Sequence, residues 1–131
     1  MTQAAVSVWG ADRVGVRISP SGAYGSMSDS NPPATFGYVA RELDRLAIAY
    51  LHVVEPRIKG TEEIAHGKVA IAAQHLRPKF SRTLIAAGGF APDSAEAIIA
   101  AGDADLVAFG RHFISNPDLP ERIRRRLPLN R

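Results

Sequence analysis

Four segments of the chain repeat the order of an apolar strand followed by a helix, and this repetition constrains the fold more than any other feature. The predicted strands cover residues 13–19, 48–55, 82–89 and 104–111. The first alternates Val14, Val16 and Ile18 with small or polar residues, as a strand with one buried face does. The second is almost continuously apolar, which is typical of a strand buried on both faces. Strand–helix units of about 30 residues predict a parallel sheet covered by helices.

The helices of these units show start and stop signals. They are predicted over residues 31–47, 65–77, 91–102 and 116–127. Asn31 and Asn116 are the candidate N-caps, Pro78 ends the second helix, and Gly102 lies at the C-terminus of the third. The fold class is therefore α/β. Two architectures fit the pattern: a small open doubly wound sheet, or half of an eight-stranded TIM barrel.

The composition indicates one soluble domain of modest size. The chain has 131 residues, of which 46% are hydrophobic and 22% charged, as in ordinary globular proteins. It contains no cysteine, which excludes disulfides and thiolate metal sites. Its histidines and acidic residues show no metal-ligand spacing. We see neither a signal peptide nor a membrane-spanning run, and predict a cytoplasmic protein.

A net charge of +3 comes largely from the C-terminal segment ERIRRRLPLNR. Nucleic-acid binding would require basic residues spread over a surface, with aromatic platforms or a recognition helix nearby. In this segment Leu119, Ile123 and Leu127 have helical spacing. The arginines are therefore interpreted as the solvated face of a terminal helix, with no nucleic-acid partner.

The ends of the last two predicted strands carry glycines and a cation. Gly88-Gly89 follows the third strand, and Gly110-Arg111 follows the fourth. Ligands of parallel α/β folds bind beyond the C-terminal ends of the strands. Adjacent glycine-rich loops can offer several backbone N–H groups to a phosphate, whose charge an arginine balances. In barrels this phosphate site belongs to the last two strands, which favours the second half of a barrel.

Arg17 is the second candidate ligand residue. It has the phase opposite to Val14, Val16 and Ile18, so in a barrel its side chain would enter the lumen, where a buried guanidinium needs an anion. A ligand contact and an ion pair with a carboxylate such as Glu55 are both consistent with this position. Glu55 itself is interpreted as a loop cap or a partner of Arg57 rather than as an acid–base group. His52 is interpreted as a barrel residue.

Several segments of the chain together resemble a known family. The stretches VWGADRVGVRISP, DSNPPATFGYVARELDRLAIAYLHVVEPR, IAAGGFAPDSAEAIIAAGDADLVAFGRHFISNPDLPERI and PLN are similar, in this order, to the C-terminal half of the Old Yellow Enzyme family. Members of that family are FMN-dependent, NAD(P)H-oxidising ene-reductases built as TIM barrels. The resemblance implies that residues 1–131 form a partial, FMN-binding half-barrel with the fifth to eighth strand–helix units.

The resemblance also implies site residues. Arg17 matches the strand arginine beside the pyrimidine edge of the flavin, where it stabilises negative charge on the reduced ring. Gly88 and Gly89 match the loop whose amides hold the FMN phosphate, and Gly110 and Arg111 match the pair that completes that site. The implied reaction passes a hydride from NADH or NADPH through FMN to an activated alkene.

The resemblance assigns no catalytic residue to this chain. The family's substrate-binding His/Asn or His/His pair and its tyrosine proton donor lie in the first half of the barrel, for which no segment here is a match. Two hypotheses follow. The chain is one part of a flavin oxidoreductase, or it is a truncated, non-catalytic half-barrel that binds phosphate or FMN weakly or not at all. Unpaired sheet edges and an uncovered lumen face predict self-association or a complementing N-terminal half-barrel.

Overall fold

The computed structural model describes residues 1–22, 24–56, 58–59, 62–63 and 71–130. Helices within these residues are α1 Thr2–Trp9, α2 Pro32–Arg45, α3 Ala73–Leu76, α4 Pro92–Ala100, α5 Arg111–Ser115 and α6 Leu119–Arg124. The strands are β1 Gly15–Ile18, β2 Tyr50–Val54, β3 Ile58–Lys59, β4 Glu62–Glu63, β5 Thr83–Ala87 and β6 Leu106–Ala108. None of the helices in these ranges is long and apolar enough to cross a bilayer.

Four strands form one parallel sheet in the order β1-β2-β5-β6. Each lies inside one of the four predicted strand segments, so the predicted α/β class and the parallel sheet are confirmed. A separate antiparallel pair, β3 with β4, follows β2 and was not predicted. Helix α1 was also missed, because its short apolar sequence carries no side-chain cap.

The hydrophobic core fills the space between one face of the sheet and the helices. Leu51, Val53, Leu84 and Ala86 point into it from the central strands and are fully buried. Helix α2 turns an apolar stripe toward this core: Ala40 and Leu43 are buried, and Phe36, Val39 and the adjoining Leu46 pack against it. The predicted cap of this helix is also present, since Asn31 Oδ1 accepts a hydrogen bond from the N–H of Ala34.

The opposite face of the sheet is open in this chain. Tyr50 and Leu106 on that face are 40% and 52% exposed, and His52 and Val54 are half-buried. The prediction that β2 is buried on both faces is therefore wrong for the chain as described. The residues on the open face are nevertheless as apolar as those of parallel sheets whose two faces are both covered. The apolar run that led to the prediction is thus real.

The predicted helix over residues 65–77 is wrong at its start. Residues 64–70 lie outside the described part of the chain, and Ile71 and Ala72 precede α3 without being helical. Two side chains place the start of α3 at Ala73. The Glu55 carboxylate accepts from the N–H of Ala73 at 2.9 Å, and His75 Nδ1 accepts from the N–H of Ala72 at 3.1 Å.

The predicted N-cap role of Asn116 is also wrong. Helix α6 begins at Leu119 with Asp118 at the N-cap position. Asn116 is instead fully buried, and its side chain bonds the backbone of the C-terminal segment. The solvated face predicted for the terminal arginines is confirmed on α6, where Arg124 and Arg125 pair with Glu121.

A polar clasp ties the start of β6 to β5 and to the segment after α3. The Asp105 carboxylate accepts from the Arg77 guanidinium at 2.7 Å and from the N–H of Leu84 at 2.8 Å. Arg77 also donates to the carbonyls of Phe80 and Arg82. The Leu84 hydrogen bond, aided by Arg77, lowers the pKa of Asp105 below its ordinary value.

Replacing Asp105 should destabilise the fold measurably. We expect Asp105→Ala to lower the free energy of unfolding by about 1–2 kcal/mol, because a charge-assisted hydrogen bond to backbone and a half-exposed ion pair are lost together. The measurement is urea denaturation at pH 7, with Glu96→Ala on the exposed face of α4 as the charge-matched control. Because the pKa of Asp105 is depressed in the folded state, the difference should shrink as the pH falls below the ordinary aspartate pKa. Equal stability of the two variants at pH 7 would contradict the clasp.

Candidate functional site

The ends of β5 and β6 bring the two glycine-containing turns together. Ala87 is the register partner of Ala108, so Gly88 and Gly89 leave the sheet beside Phe109 and Gly110. The parallel order of the strands puts both turns at the same edge, where parallel α/β folds bind their ligands. Four of the five predicted site residues therefore lie on two adjacent turns.

Backbone conformation explains why Gly88 and Gly89 are glycines. Their φ angles are 109° and 66°, in the region that side chains with a Cβ adopt only at a cost. A turn made of glycines can present its backbone N–H groups to an anion. The glycines are thus needed for the shape of this turn, with or without a ligand.

A positive φ does not explain the glycine at position 110. Its φ is −99°, outside the left-handed region that favours glycine, and a Cβ built at this position meets no atom of the described residues within 4 Å. Neither a positive φ nor packing within the described residues therefore calls for a glycine. The missing side chain leaves the backbone of this turn accessible from the open side of the edge.

Arg111 follows as the first residue of α5 and is exposed. The turn into the helix is made by the carbonyl of Gly110, which accepts from the N–H groups of Phe113 and Ile114. Gly110 and Arg111 are consequently held in one tight turn, with the cation next to the accessible backbone.

Arg17 lies on the open face of the sheet, apart from the glycine turns. Its register partner is His52, and His52 in turn is opposite Ile85 of β5. Arg17 is thus two strand spacings from β5, roughly 10 Å, and two residues below the level of Ala87. It is exposed, so the predicted burial of this arginine does not apply to the chain alone.

The ion pair between Arg17 and Glu55 is not formed. No salt bridge within the described residues involves Arg17. The Glu55 carboxylate is buried and accepts from the N–H of Ala73. Glu55 therefore supports the loop between β2 and α3, as one of its predicted roles states, while Arg57 lies outside the described residues. Arg17 is therefore a positive charge on the open face that no described carboxylate neutralises.

His52 lies beside Arg17 on the open face, so the positive charge of Arg17 acts on the His52 imidazole. Burial, and secondarily the positive charge of Arg17, lower the pKa of His52 below its ordinary value of 6.5. Its Nε2 is buried and has no hydrogen-bond partner among the described residues. The neutral imidazole is therefore favoured, which leaves Arg17 as the positive charge of this pair at neutral pH.

The titration of His52 tests this arrangement. We expect an NMR titration of the histidine ring signals to give a pKa below 6.5 for His52. Arg17→Ala should raise that pKa without restoring the ordinary value, because burial is the larger cause, and Arg13→Ala before β1 should leave it unchanged. Folded His52 binds fewer protons than unfolded His52, so its contribution to stability is complete above the ordinary pKa and declines as the pH falls. A pKa of 6.5 or more in the parent chain would contradict the account.

A cavity of about 550 Å³ lies elsewhere, on the helix side of the sheet. It is bounded by α3, α4 and the turns before them, and Glu55, Phe90, Ser94 and Asp103 are among its lining residues. None of the five predicted site residues lines it. The candidate site is therefore an open edge and face rather than this cavity.

Comparison with known sequences gives matches along the whole chain. The family model described as the NADH:flavin oxidoreductase / NADH oxidase family matches residues 2–130. The 12-oxophytodienoate reductase 2 of Arabidopsis thaliana is 42% identical over 126 residues, which are 93% of this chain and 32% of the relative. The 12-oxophytodienoate reductase 1 of Oryza sativa subsp. japonica is 42% identical over 132 residues, 98% of this chain and 33% of the relative. The chain spans about a third of the length of these relatives.

Solved structures give the same result for the fold. Morphinone reductase is similar with a TM-score of 0.85 and 39% identity, over 98% of this chain and 34% of that protein. The old yellow enzyme from Trypanosoma cruzi has a TM-score of 0.85 and 34% identity, over 98% and 33%. A further structure holds morphinone reductase in complex with tetrahydroNAD. These relatives are TIM barrels of the Old Yellow Enzyme type, and the four parallel strands correspond to a part of such a barrel.

The predicted family resemblance is thereby confirmed, and so is the choice of a barrel segment over an open doubly wound sheet: this chain belongs to the NADH:flavin oxidoreductase / NADH oxidase family.

Proposed function

We propose that this chain provides the FMN phosphate and pyrimidine-edge half-site of an FMN-dependent NAD(P)H oxidoreductase of the ene-reductase type. The observation that carries the proposal is Gly110, whose missing side chain is required neither by a positive φ nor by packing in the described chain. A ligand that approaches the backbone explains this glycine. Family membership supports FMN as that ligand.

The residues at the edge suit the phosphate of FMN. Gly88 and Gly89 place backbone N–H groups at the edge in a turn with positive φ angles, Gly110 leaves its backbone accessible, and Arg111 brings a permanent positive charge beside it. Arg17 suits the other end of the cofactor, because it offers a cation on the open face that no described carboxylate neutralises.

The chemistry supplied by bound FMN would be hydride transfer between a nicotinamide donor and an activated alkene. In that reaction the residues of this chain bind and orient. The glycine turns and Arg111 would anchor the phosphate, and Arg17 would favour negative charge at the ring end. A neutral His52 beside Arg17 would add no second positive charge there. We assign no catalytic residue to the chain.

The names of the relatives indicate the class of partner molecules. They include reductases of 12-oxophytodienoate and of morphinone, and a morphinone reductase structure holds tetrahydroNAD. We accordingly propose a small organic substrate with an activated double bond, and NADH or NADPH as the reductant.

The open face requires a further component for activity. Apolar residues of β2 and β6 are exposed there, and β1 and β6 are edge strands. We propose that residues 1–131 are a partial barrel domain whose complement is an N-terminal half-barrel, in the same longer polypeptide or in a separate chain. Self-association is the alternative way to cover this surface. The cytoplasmic location stays a prediction from the sequence.

Titration with FMN and with riboflavin, which lacks the phosphate, tests the half-site. We expect the chain to bind FMN more tightly than riboflavin, as followed by flavin fluorescence. Arg111→Ala should weaken FMN binding roughly ten- to hundredfold, because a charge-assisted contact of about 1.5–3 kcal/mol is lost, and should leave riboflavin binding unchanged. The matched control is Arg82→Ala, which removes an exposed arginine at the opposite end of β5.

Gly110→Ala is a second variant for the same titration. Its stability should stay within about 0.5 kcal/mol of the parent, because the added methyl group has space and φ is negative. Its affinity for FMN should fall relative to riboflavin. If the parent chain binds neither flavin, or binds both equally, the proposal fails and the chain is a non-catalytic half-barrel.

A further inference from the structure

We infer that Asn116 is a positioning residue for the proposed phosphate site, acting with Asn130 to hold α5 and therefore Gly110 and Arg111 in place. This inference rests on the proposed function. Asn116 does not cap α6, yet its side chain is fully buried, so the fold uses the amide for another purpose.

The contacts of the Asn116 amide join α5 to the C-terminal segment. Its Nδ2 donates to the carbonyls of His112 at 2.8 Å and Asn130 at 3.1 Å. Its Oδ1 accepts from the N–H of Asn130 at 2.8 Å. These partners fix the orientation of the amide, because the carbonyls need a donor and the N–H needs an acceptor. The amide is thus satisfied on both sides, as a buried polar group must be.

Ser115 and Asn130 complete this set of hydrogen bonds, here called the α5 clamp and defined by Ser115, Asn116 and Asn130. Asn130 Nδ2 donates to the carbonyl of Ser115 at 3.2 Å. The single proton of the Ser115 hydroxyl can go to the carbonyl of Asn130 at 3.2 Å or to that of Arg111 at 3.5 Å. The clamp therefore reaches the carbonyls of His112 and Ser115 in α5, and the Ser115 hydroxyl has that of Arg111 as an alternative acceptor.

Helix α5 needs such support because packing does not provide it. It has five residues, none of them buried, and Ile114 is 84% exposed. A helix of this length is not stable by itself. The clamp consequently ties α5 to the C-terminal segment of the described chain. Gly110 and Arg111 form the entrance to the same helix, so their position depends on it.

The test compares phosphate-dependent binding with stability in three variants. Asn116→Asp keeps the shape of the side chain but removes both donated hydrogen bonds, and Asn130→Ala removes only the bond to Ser115. The control is Asn31→Ala, which removes the cap of α2, far from the edge, and should reduce stability without affecting the site. Each variant is titrated with FMN and riboflavin, its unfolding is measured, and hydrogen exchange is followed at the amides of α5 without ligand.

We expect Asn116→Asp to lower the preference for FMN over riboflavin about tenfold and to speed exchange in α5, and Asn130→Ala to do both to a smaller extent. Asn31→Ala should keep the full preference at reduced stability. The inference is overturned if the parent prefers FMN and the clamp variants keep that preference, or if α5 exchange is unchanged. A parent without any preference for FMN overturns the proposed function, and the positioning role with it.

Discussion

A parallel sheet covered on only one face is the constraint on which the rest of this structure depends. The covered face includes Leu51, Val53 and Leu84, whose side chains are fully buried. The other face carries Tyr50 and Leu106, large apolar side chains that remain substantially exposed. Parallel sheets occur almost only with both faces covered. The apolar composition of the second face therefore indicates that a further protein surface covers it. The remainder of a barrel of this family would provide such a surface.

The same constraint explains where binding residues can lie. In a closed barrel the second face becomes the lumen, and the C-terminal edge becomes its mouth. Arg17 projects from the lumen side, and the turns at Gly88 and Gly110 lie at the mouth. The helix-side cavity beside Glu55 and Phe90 lies away from this region. Position relative to the sheet, rather than cavity size, therefore identifies the candidate site.

Sequence reasoning predicted the elements whose signals are local. The alternation in β1 and the cap at Asn31 determine structure through neighbouring residues, and both were confirmed. The start of α3 could not be predicted, because Glu55 fixes it from 18 positions away in the sequence. For the same reason the α5 clamp was missed. Asn116 has the form of an N-cap signal, and only the fold shows that Asn130, 14 positions later, takes its hydrogen bonds.

The candidate site, too, could be predicted from the sequence only in part. The glycine turns could be placed at one edge from the order of strands alone, and family resemblance gave a role to each residue. The burial predicted for Arg17 is wrong, because the sheet face that carries it is uncovered in the part of the chain that the structure describes. Likewise, the effect of Arg17 on the pKa of His52 follows from a register that the sequence does not display.

Complementation tests the central claim, that this chain is one part of a flavin-binding barrel, most directly. The chain would be mixed with FMN and the part of the Arabidopsis 12-oxophytodienoate reductase 2 that it does not match, and the mass and flavin absorbance of the eluting species would be measured by size-exclusion chromatography with light scattering. The account predicts a complex of one copy of each polypeptide with one FMN. Separate elution of the two polypeptides, neither carrying flavin, would contradict it.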